Sequence, residues 1–583
     1  MSEAAAPGSK AGARIALDAV SVRYPGRSEA ALDLSLAVEA GGFLGVTGRT
    51  GAGKSTLALT AGGFVPRVVR ARVGGTAHVN GVDAFNALAS DLAGQVGIVF
   101  STPANQLSAS KPTVFEELAF GLENLAVPRL DMVGRIDDVL ERLAIAHLSD
   151  RDPFTLSGGE QQRVAIASIL VMGTSVLVLD EPVAQLDPAG SRGVAALLRQ
   201  LAGDGRTILC TEHDPGILGA ADRCLVLESG RAVALAIPGV ALGSAVQTGL
   251  GFQPPTLVLL AELAGLPPDR AFDEEAVVAG LAAMSRLRAV ADASPAAAGL
   301  GWSPLRVETT PVIAARGLTH RYAGGPEVLR GVDVAVLPGE AVAIVGQNGS
   351  GKTTMAKHLN GLLRPDSGAV EIDGTDICST PVGVLARTVG FVFQNPDDQL
   401  FSRSVEREVA FGPRNLRLES RLARELVDRA LWLAGLESVR TANPYDLGLS
   451  VRKLVAIASV LAMEPAILVL DEPTTGQDGP GVERIGSIVD AYRAAGRTVI
   501  AVTHDMEFAA THFGRIVVMR DGEVVADGSP AEVFAPDREP LLASTGLLAP
   551  VAARVGARLG LGSTPTEATL VAALAARAGN RLG

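Results

Sequence analysis

Short apolar runs recur along this chain, and each ends on a glycine-rich or acidic turn. Phe43–Val46 and Val342–Val345 lead into glycine loops, and Val176–Leu179 and Ile467–Leu470 run into Asp180-Glu181 and Asp471-Glu472. Thr207–Thr211 and Thr498–Thr503 come just before His213 and His504. Runs this short, bounded by turn residues, read as strands buried on both faces. Between them lie stretches with helical spacing, such as Ser191–Leu201 and Gly481–Ala494. Strands alternating with helices predict a mainly parallel α/β sheet.

The pattern occurs twice, in one register. Tyr24 precedes Gly48 by 24 residues, and Tyr322 precedes Gly346 by the same 24. His213 follows Asp180 by 33 residues, as His504 follows Asp471. Spacing held this closely means that one fold is written twice. The expected organisation is a disordered lead over 1–13, one domain over 14–236, a linker with a helical appendage over 237–310, a second domain over 311–540 and a C-terminal helical appendage over 541–583. The linker holds four arginines against seven acids and predicts helices over Thr256–Ala264 and Asp273–Val290. The tail echoes it: Thr248-Gly249-Leu250 and Thr545-Gly546-Leu547 each precede a proline and an Ala/Leu-rich helix. The appendages would serve self-association or pack on their own domains.

Composition narrows the partners. The 583 residues are 48% hydrophobic but only 4% aromatic, so the cores must be built from Ala, Val, Leu and Ile. The formal charge of −12, with no basic block, argues against nucleic acid, whose phosphates call for clustered Lys and Arg. Cys210, Cys224 and Cys378 lack ligand spacing and are expected as small buried residues in a reducing cytosol. No apolar run is as long as the roughly 18 residues of a membrane-spanning helix. Met1 to Ala13 has no basic region followed by an apolar stretch, so no signal peptide is expected.

The chemistry lies in the loops. Gly48-Arg49-Thr50-Gly51-Ala52-Gly53-Lys54-Ser55 and Gly346-Gln347-Asn348-Gly349-Ser350-Gly351-Lys352-Thr353 both fit G-x-x-x-x-G-K-[ST]. Glycines let backbone N–H groups close around phosphates, the lysine reaches the terminal phosphates, and the Ser or Thr hydroxyl binds Mg2+. The helix that follows points its positive end at the same anion, and Thr56 and Thr354, next after each motif, are further candidates to bind the nucleotide.

With Leu156-Ser157-Gly158-Gly159-Glu160-Gln161-Gln162-Arg163, whose serine stands 23 residues before Asp180, this set resembles the ATP-binding cassette (ABC) ATPases. The resemblance implies two α/β cassettes, each with a helical subdomain, that face each other head to tail with ATP and Mg2+ between one cassette's phosphate loop and the other's Ser-Gly-Gly signature. Positioning and charge stabilisation dominate such phosphoryl transfer. By position, Tyr24 and Tyr322 would stack on adenine. Asp180 and Asp471, with Ser55 and Thr353, would hold Mg2+. Glu181 and Glu472 would polarise the attacking water, and His213 and His504 would contact the γ-phosphate.

The copies then diverge. Copy two reads Phe393-Gln394-Asn395-Pro396-Asp397-Asp398-Gln399-Leu400, where Gln394 matches the family glutamine that touches Mg2+ and the attacking water. Copy one has the shorter Ser101 there. In copy two Gly448-Leu449-Ser450-Val451 stands in place of Ser157-Gly158-Gly159-Glu160, with Arg452 or Lys453 left to reach a phosphate. Head-to-tail pairing gathers both defects in one site, so one hydrolytic site and one impaired site are expected.

Fusion of two cassettes and the Phe393–Leu400 segment resemble the energy-coupling ATPases of energy-coupling factor (ECF) importers. That resemblance implies docking on a membrane coupling protein that works with a small substrate-binding membrane protein, at the cytoplasmic face. It also implies a vitamin, vitamin precursor, cobalt or nickel cargo. Asp397 and Asp398 would meet basic coupling helices or form a solvated turn. Fusion favours pairing within one chain through effective concentration. A soluble translation ATPase and the ATPase of a sugar importer remain alternatives.

Overall fold

A strand that is apolar on both faces stays buried only when helices cover both sides of its sheet. The computed structural model describes residues 13–26, 29–103, 106–184, 186–284 and 310–580. It divides into two units, Met1–Val277 and Val278–Gly583. In the first, six strands lie in the order Val96–Val99, Val176–Asp180, Thr207–Thr211, Phe43–Gly48, Arg223–Glu228, Arg231–Ala236. Neighbours are parallel except for the last pair. In the second, Val389–Val392, Ile467–Asp471, Thr498–Thr503, Ala341–Gly346, Arg515–Arg520 and Glu523–Gly528 repeat that order and those directions. Every residue of Phe43–Gly48, Ile467–Asp471 and Thr498–Thr503 is buried, as the apolar runs require.

Each unit also has a four-stranded antiparallel sheet that the apolar runs did not announce. It comprises Leu32–Glu39, Ala13–Arg23, Arg72–Val79 and Val82–Asp83 in one unit. In the other it comprises Glu327–Val336, Ile313–Arg321, Ser367–Ile372 and Thr375–Asp376. Leu32–Glu39 alternates buried and exposed positions, the two-residue period of a half-buried strand.

The helical subdomains follow from spacing and capping. Arg129–Arg142 buries Ile136, Val139 and Leu140, a stripe on one helical face. Gly158–Leu170 starts at a capping box in which Ser157 and Glu160 satisfy each other's backbone donors. Its counterpart, Leu449–Leu461, starts at Gly448 without a side-chain cap.

The appendages form helices and pack on their own units. Thr256–Leu263 follows Pro255, and Val551–Arg558 follows Pro550. Gly251 (φ 71°) and Gly546 (φ 66°) turn the chain ahead of them, so the structural register runs through these glycines, two residues off the Thr-Gly-Leu echo. Leu250 joins the core of the first unit; Leu542, Leu547 and Ala553 join that of the second. The predicted Asp273–Val290 helix is Glu274–Ala283, and its end at 285–290 lies outside the described residues, as do lead residues 1–12 and the linker over 285–309. Cys210 and Cys224 are buried as expected. Cys378 is exposed, because it sits in a surface turn capped by Asp376. Among the described residues no helix is long and apolar enough to cross a membrane.

Glu507, on Met506–His512, accepts the Val551 N–H at 2.7 Å and so ties the C-terminal appendage to the segment after His504. Burial pushes its carboxyl up to about 7, against the pull of that hydrogen bond. The folded state then holds this proton more tightly than the unfolded chain does. Stability therefore falls as pH rises from about 4.5 to about 7. Glu507→Gln keeps an oxygen acceptor and is expected to flatten that fall in urea unfolding compared at pH 5 and pH 8; equal slopes in both proteins would place the titration elsewhere.

Candidate nucleotide sites

Each phosphate loop leaves the carboxyl end of a central buried strand, the crevice where open α/β sheets bind ligands. Its glycines are fixed by close approach. A Cβ on Gly48 (φ 146°) would lie 2.2 Å from the Leu227 carbonyl oxygen, and one on Gly346 would lie 2.4 Å from that of Met519. Gly51 and Gly349, beside Thr50 and Asn348 in the turn, have φ of 83° and 82°, and Gly53 and Gly351 have φ of 103° and 97°. Lys54–Ala61 and Lys352–Leu359 begin directly after them. Lys54 Nζ donates to the Gly48 and Arg49 carbonyls at 3.0 and 3.3 Å, and Lys352 Nζ to those of Gly346 and Gln347 at 2.8 and 2.7 Å. Each ammonium thus lies across a loop backbone at a helix N-terminus, the arrangement that holds phosphate.

The other predicted residues gather at the same strand ends. Tyr24 and Tyr322 hydroxyls lie 3.2 Å from Thr56 and Thr354 Oγ1, which holds both rings beside the loops. Ser55 donates to Asp180 at 3.2 Å and Thr353 to Asp471 at 3.1 Å. These all-oxygen pairs suit Mg2+. Burial, then the neighbouring Glu472, pushes the Asp471 carboxyl up to about 6, a shift that a bound dication would oppose. Glu181 and Glu472 both take left-handed backbone angles, φ 50° and 47°, of the strained kind found at functional sites.

The two glutamate–histidine pairs differ. His504 Nδ1 lies 2.8 Å from Glu472 Oε2, whereas His213 Nε2 stands 3.8 Å from Glu181 Oε1. Burial alone would raise Glu472, but His504, Lys352 and Lys453 outweigh it and hold the carboxyl below its ordinary value. Burial likewise opposes the charged form of His504, and Glu472 reverses this. In the first unit a third carboxylate, Glu212, takes the place of Thr503. It accepts the Val183, His213 and Asp214 N–H groups at 3.0, 2.7 and 3.2 Å. Burial, then Asp214 and Glu181, pushes it up to about 8.

Ser157, Gly158 and Gly159 stand at the start of Gly158–Leu170, where the bonds of Ser157 are to Glu160. Their counterparts correct one expectation: neither Arg452 nor Lys453 is left to reach a phosphate. Arg452 pairs with Asp397 at 2.9 Å. Lys453 is buried and donates to the Glu472 carbonyl at 2.5 Å. Gln394 is exposed. Its segment is stapled by a residue to which the motif reading gave no role. Gln399 accepts the Phe393 N–H at 3.2 Å and donates to the Ala456 carbonyl at 2.8 Å. Gln106 repeats this staple in the first unit on Phe100 and Ala165, although Ala104 and Asn105 of that segment lie outside the described residues. The equal position of the two glutamines in both copies was the available signal.

The sequence matches the ABC transporter family over residues 31–184 and 329–475. The chain belongs to the ABC transporter family of ATP-binding proteins. A relative from Methanosarcina acetivorans, provisionally named as an ABC transporter ATP-binding protein, is 36% identical over 93% of this chain and 90% of its own length. A relative of the same provisional name from Caldanaerobacter subterraneus is 34% identical over 86% and 88%. Among solved structures, cbiO1 from Clostridium perfringens, described as part of the ABC transporter complex cbiONQ, is 35% identical. It matches 42% of this chain and 98% of its own, with a TM-score of 0.37. The ATP-binding cassette MJ0796, solved as a dimer in a post-hydrolysis state with ADP and Pi, is 28% identical over 37% and 98%, with a TM-score of 0.35. This protein is an ATPase that uses ATP with Mg2+. Gly48→Ala, which drives a methyl into the Leu227 carbonyl, is expected to weaken binding at the first loop at least tenfold. Titration with a non-hydrolysable ATP analogue and Mg2+ should then count one tight site instead of two; two unchanged sites would show that the loop accepts the methyl.

Proposed function

We propose that this chain is the ATP-hydrolysing subunit of an ECF-type importer for a vitamin, a vitamin precursor or a transition-metal ion. The observation that carries this reading is the Phe393–Leu400 segment in a chain that fuses two cassettes. The partners are then a membrane coupling protein and a small substrate-binding membrane protein, and the chain works peripherally at the cytoplasmic face of the membrane. The cargo never touches the ATPase.

In this reading the cassettes pair within one chain. Site one combines Lys54, Asp180, Glu181, His213 and Ser101 with the Gly448 segment, and site two combines Lys352, Gln394, Asp471, Glu472 and His504 with Ser157-Gly158-Gly159. Site two hydrolyses ATP, while site one binds it and turns over slowly. The close Glu472–His504 contact at 2.8 Å, against the 3.8 Å Glu181–His213 separation, supports that division. So does Ser101, too short to act as Gln394 does. Losing one well-placed transition-state group costs about 10²–10³ in rate.

Two experiments test these statements. Glu472→Gln is expected to lower steady-state ATPase turnover by about 10²-fold or more, and Glu181→Gln by less than about tenfold; equal losses would refute the asymmetry. Purification of the tagged chain from gently solubilised cells is expected to bring along one coupling-type membrane protein and one small membrane binding protein. Ribosomal subunits in their place would overturn the importer reading.

A further inference from the structure

We infer that the altered signature helix of the second cassette is a brace for that cassette's own catalytic glutamate, with Lys453 as its positioning residue. The inference rests on the reading of Glu472 as the group that polarises the attacking water. It begins with the two side chains that the helix Leu449–Leu461 turns inward. Lys453 is only 2% exposed, and its ammonium donates to the carbonyl oxygens of Glu472 at 2.5 Å and Thr475 at 3.4 Å. One turn earlier, Ser450 donates from Oγ to Gln477 Oε1 at 2.9 Å, and Gln477 Nε2 returns a bond to the Ser450 carbonyl at 3.2 Å. The four bonds grip the loop from Glu472 to Gln477, directly before Asp478 caps the helix Gly479–Ala494.

The first cassette lacks these groups. At the matching positions it has Gly159, Gln162 and Leu186. Gly159 has no side chain to offer and Leu186 is apolar. The Gln162 amide is buried, and neither its nitrogen nor its oxygen has a hydrogen-bond partner among the described residues. The second cassette therefore places a cation at a depth where the first leaves an unmet amide, and an acceptor where the first has a leucine.

The point of contact gives the brace its consequence. Glu472 holds φ at 47°, a conformation that a side-chain-bearing residue keeps only when its surroundings over-determine it. A hydrogen bond to its carbonyl fixes the peptide that follows, and with it the direction of the carboxylate toward His504. Stability alone is a poor reason for a buried ammonium, since well-packed apolar residues often replace buried charges at no cost. Its placement on the backbone of Glu472 is a better one. A helix that lacks the glycine pair of its counterpart thus serves the site within its own cassette.

The test uses the full chain with Mg-ATP, in the parent and in a Glu472→Gln background. Lys453→Met is expected to lower kcat at least tenfold with KM for ATP within twofold of the parent, and Lys453→Arg to restore at least half of the turnover. Lys453→Gln, which installs the residue of the first cassette and keeps a polar head, is expected to fall between these two and covers the case in which Lys453→Met does not fold. In the Glu472→Gln background Lys453→Met is expected to cause no further loss, the non-additivity of two groups acting as one. Turnover within twofold of the parent in both Lys453→Met and Lys453→Gln overturns the inference, as does an undiminished loss in the Glu472→Gln background. Failure of the underlying reading shows separately, as a Glu472→Gln protein that retains parental turnover.

Discussion

Asp471 and Glu472 stand next to each other at the end of a strand with no exposed residue, and two neighbouring carboxylates held away from water oppose each other's ionisation. The arrangement around them answers that cost. Lys352, Lys453 and His504 converge on the pair from the phosphate loop, the signature helix and the adjacent strand end, and together they keep Glu472 charged despite its burial. The first cassette builds the same strand ends with a different balance. Gln162 stands where Lys453 does, and Glu212 stands where Thr503 does, so this centre exchanges a cation for a neutral amide and gains a carboxyl. Burial, then Asp214 and Glu181, pushes that carboxyl up to about 8. The second cassette thus surrounds Glu472 with cations that hold it ionised.

The same strand ends connect the nucleotide loops to the appendages. In each unit the residue after the first loop glycine meets the turn that opens the appendage. Arg49 donates to the Leu250 carbonyl at 2.6 Å and lies over the Phe252 ring, while a Cβ on Gly546 would fall 1.6 Å from Gln347 Nε2. Gly546 and Gly251 are the positions where these turns take positive φ, so glycine answers both the turn and, at Gly546, the crowding. The side chains that meet the appendage turns, Arg49 and Gln347, thus belong to the phosphate loops themselves.

Legibility in the sequence followed physical type. The buried strands, the phosphate loops and the Asp-Glu and histidine positions were readable because each is a local pattern repeated at fixed spacing, and the sheet order is the same in both units. The antiparallel sheets escaped because alternation in a strand such as Leu32–Glu39 is a weaker signal than an unbroken apolar run. Lys453 was misplaced for a different reason. A lysine beside a phosphate motif reads as a phosphate ligand, and only the direction of its helix face, set by tertiary packing, turns it inward. Glu212 and the Gln106 and Gln399 staples were equally visible as letters, but their roles depend on which backbone groups the fold brings within 3.2 Å.

The altered signature has two faces, and the substitutions act on both at once. Leu449 puts a side chain where the first cassette has Gly158, which removes the freedom of a bare backbone to approach a ligand closely, a loss. Toward its own cassette, the same stretch gains Ser450 and Lys453 as donors to the loop that carries Glu472. A glycine pair is free to do the first task because it has no side chains, and for that reason it has nothing with which to do the second. The two tasks compete for the same positions. The first cassette keeps the glycine pair and leaves Gln162 without a partner among the described residues, while the second spends the same stretch of helix on holding the loop that carries Glu472.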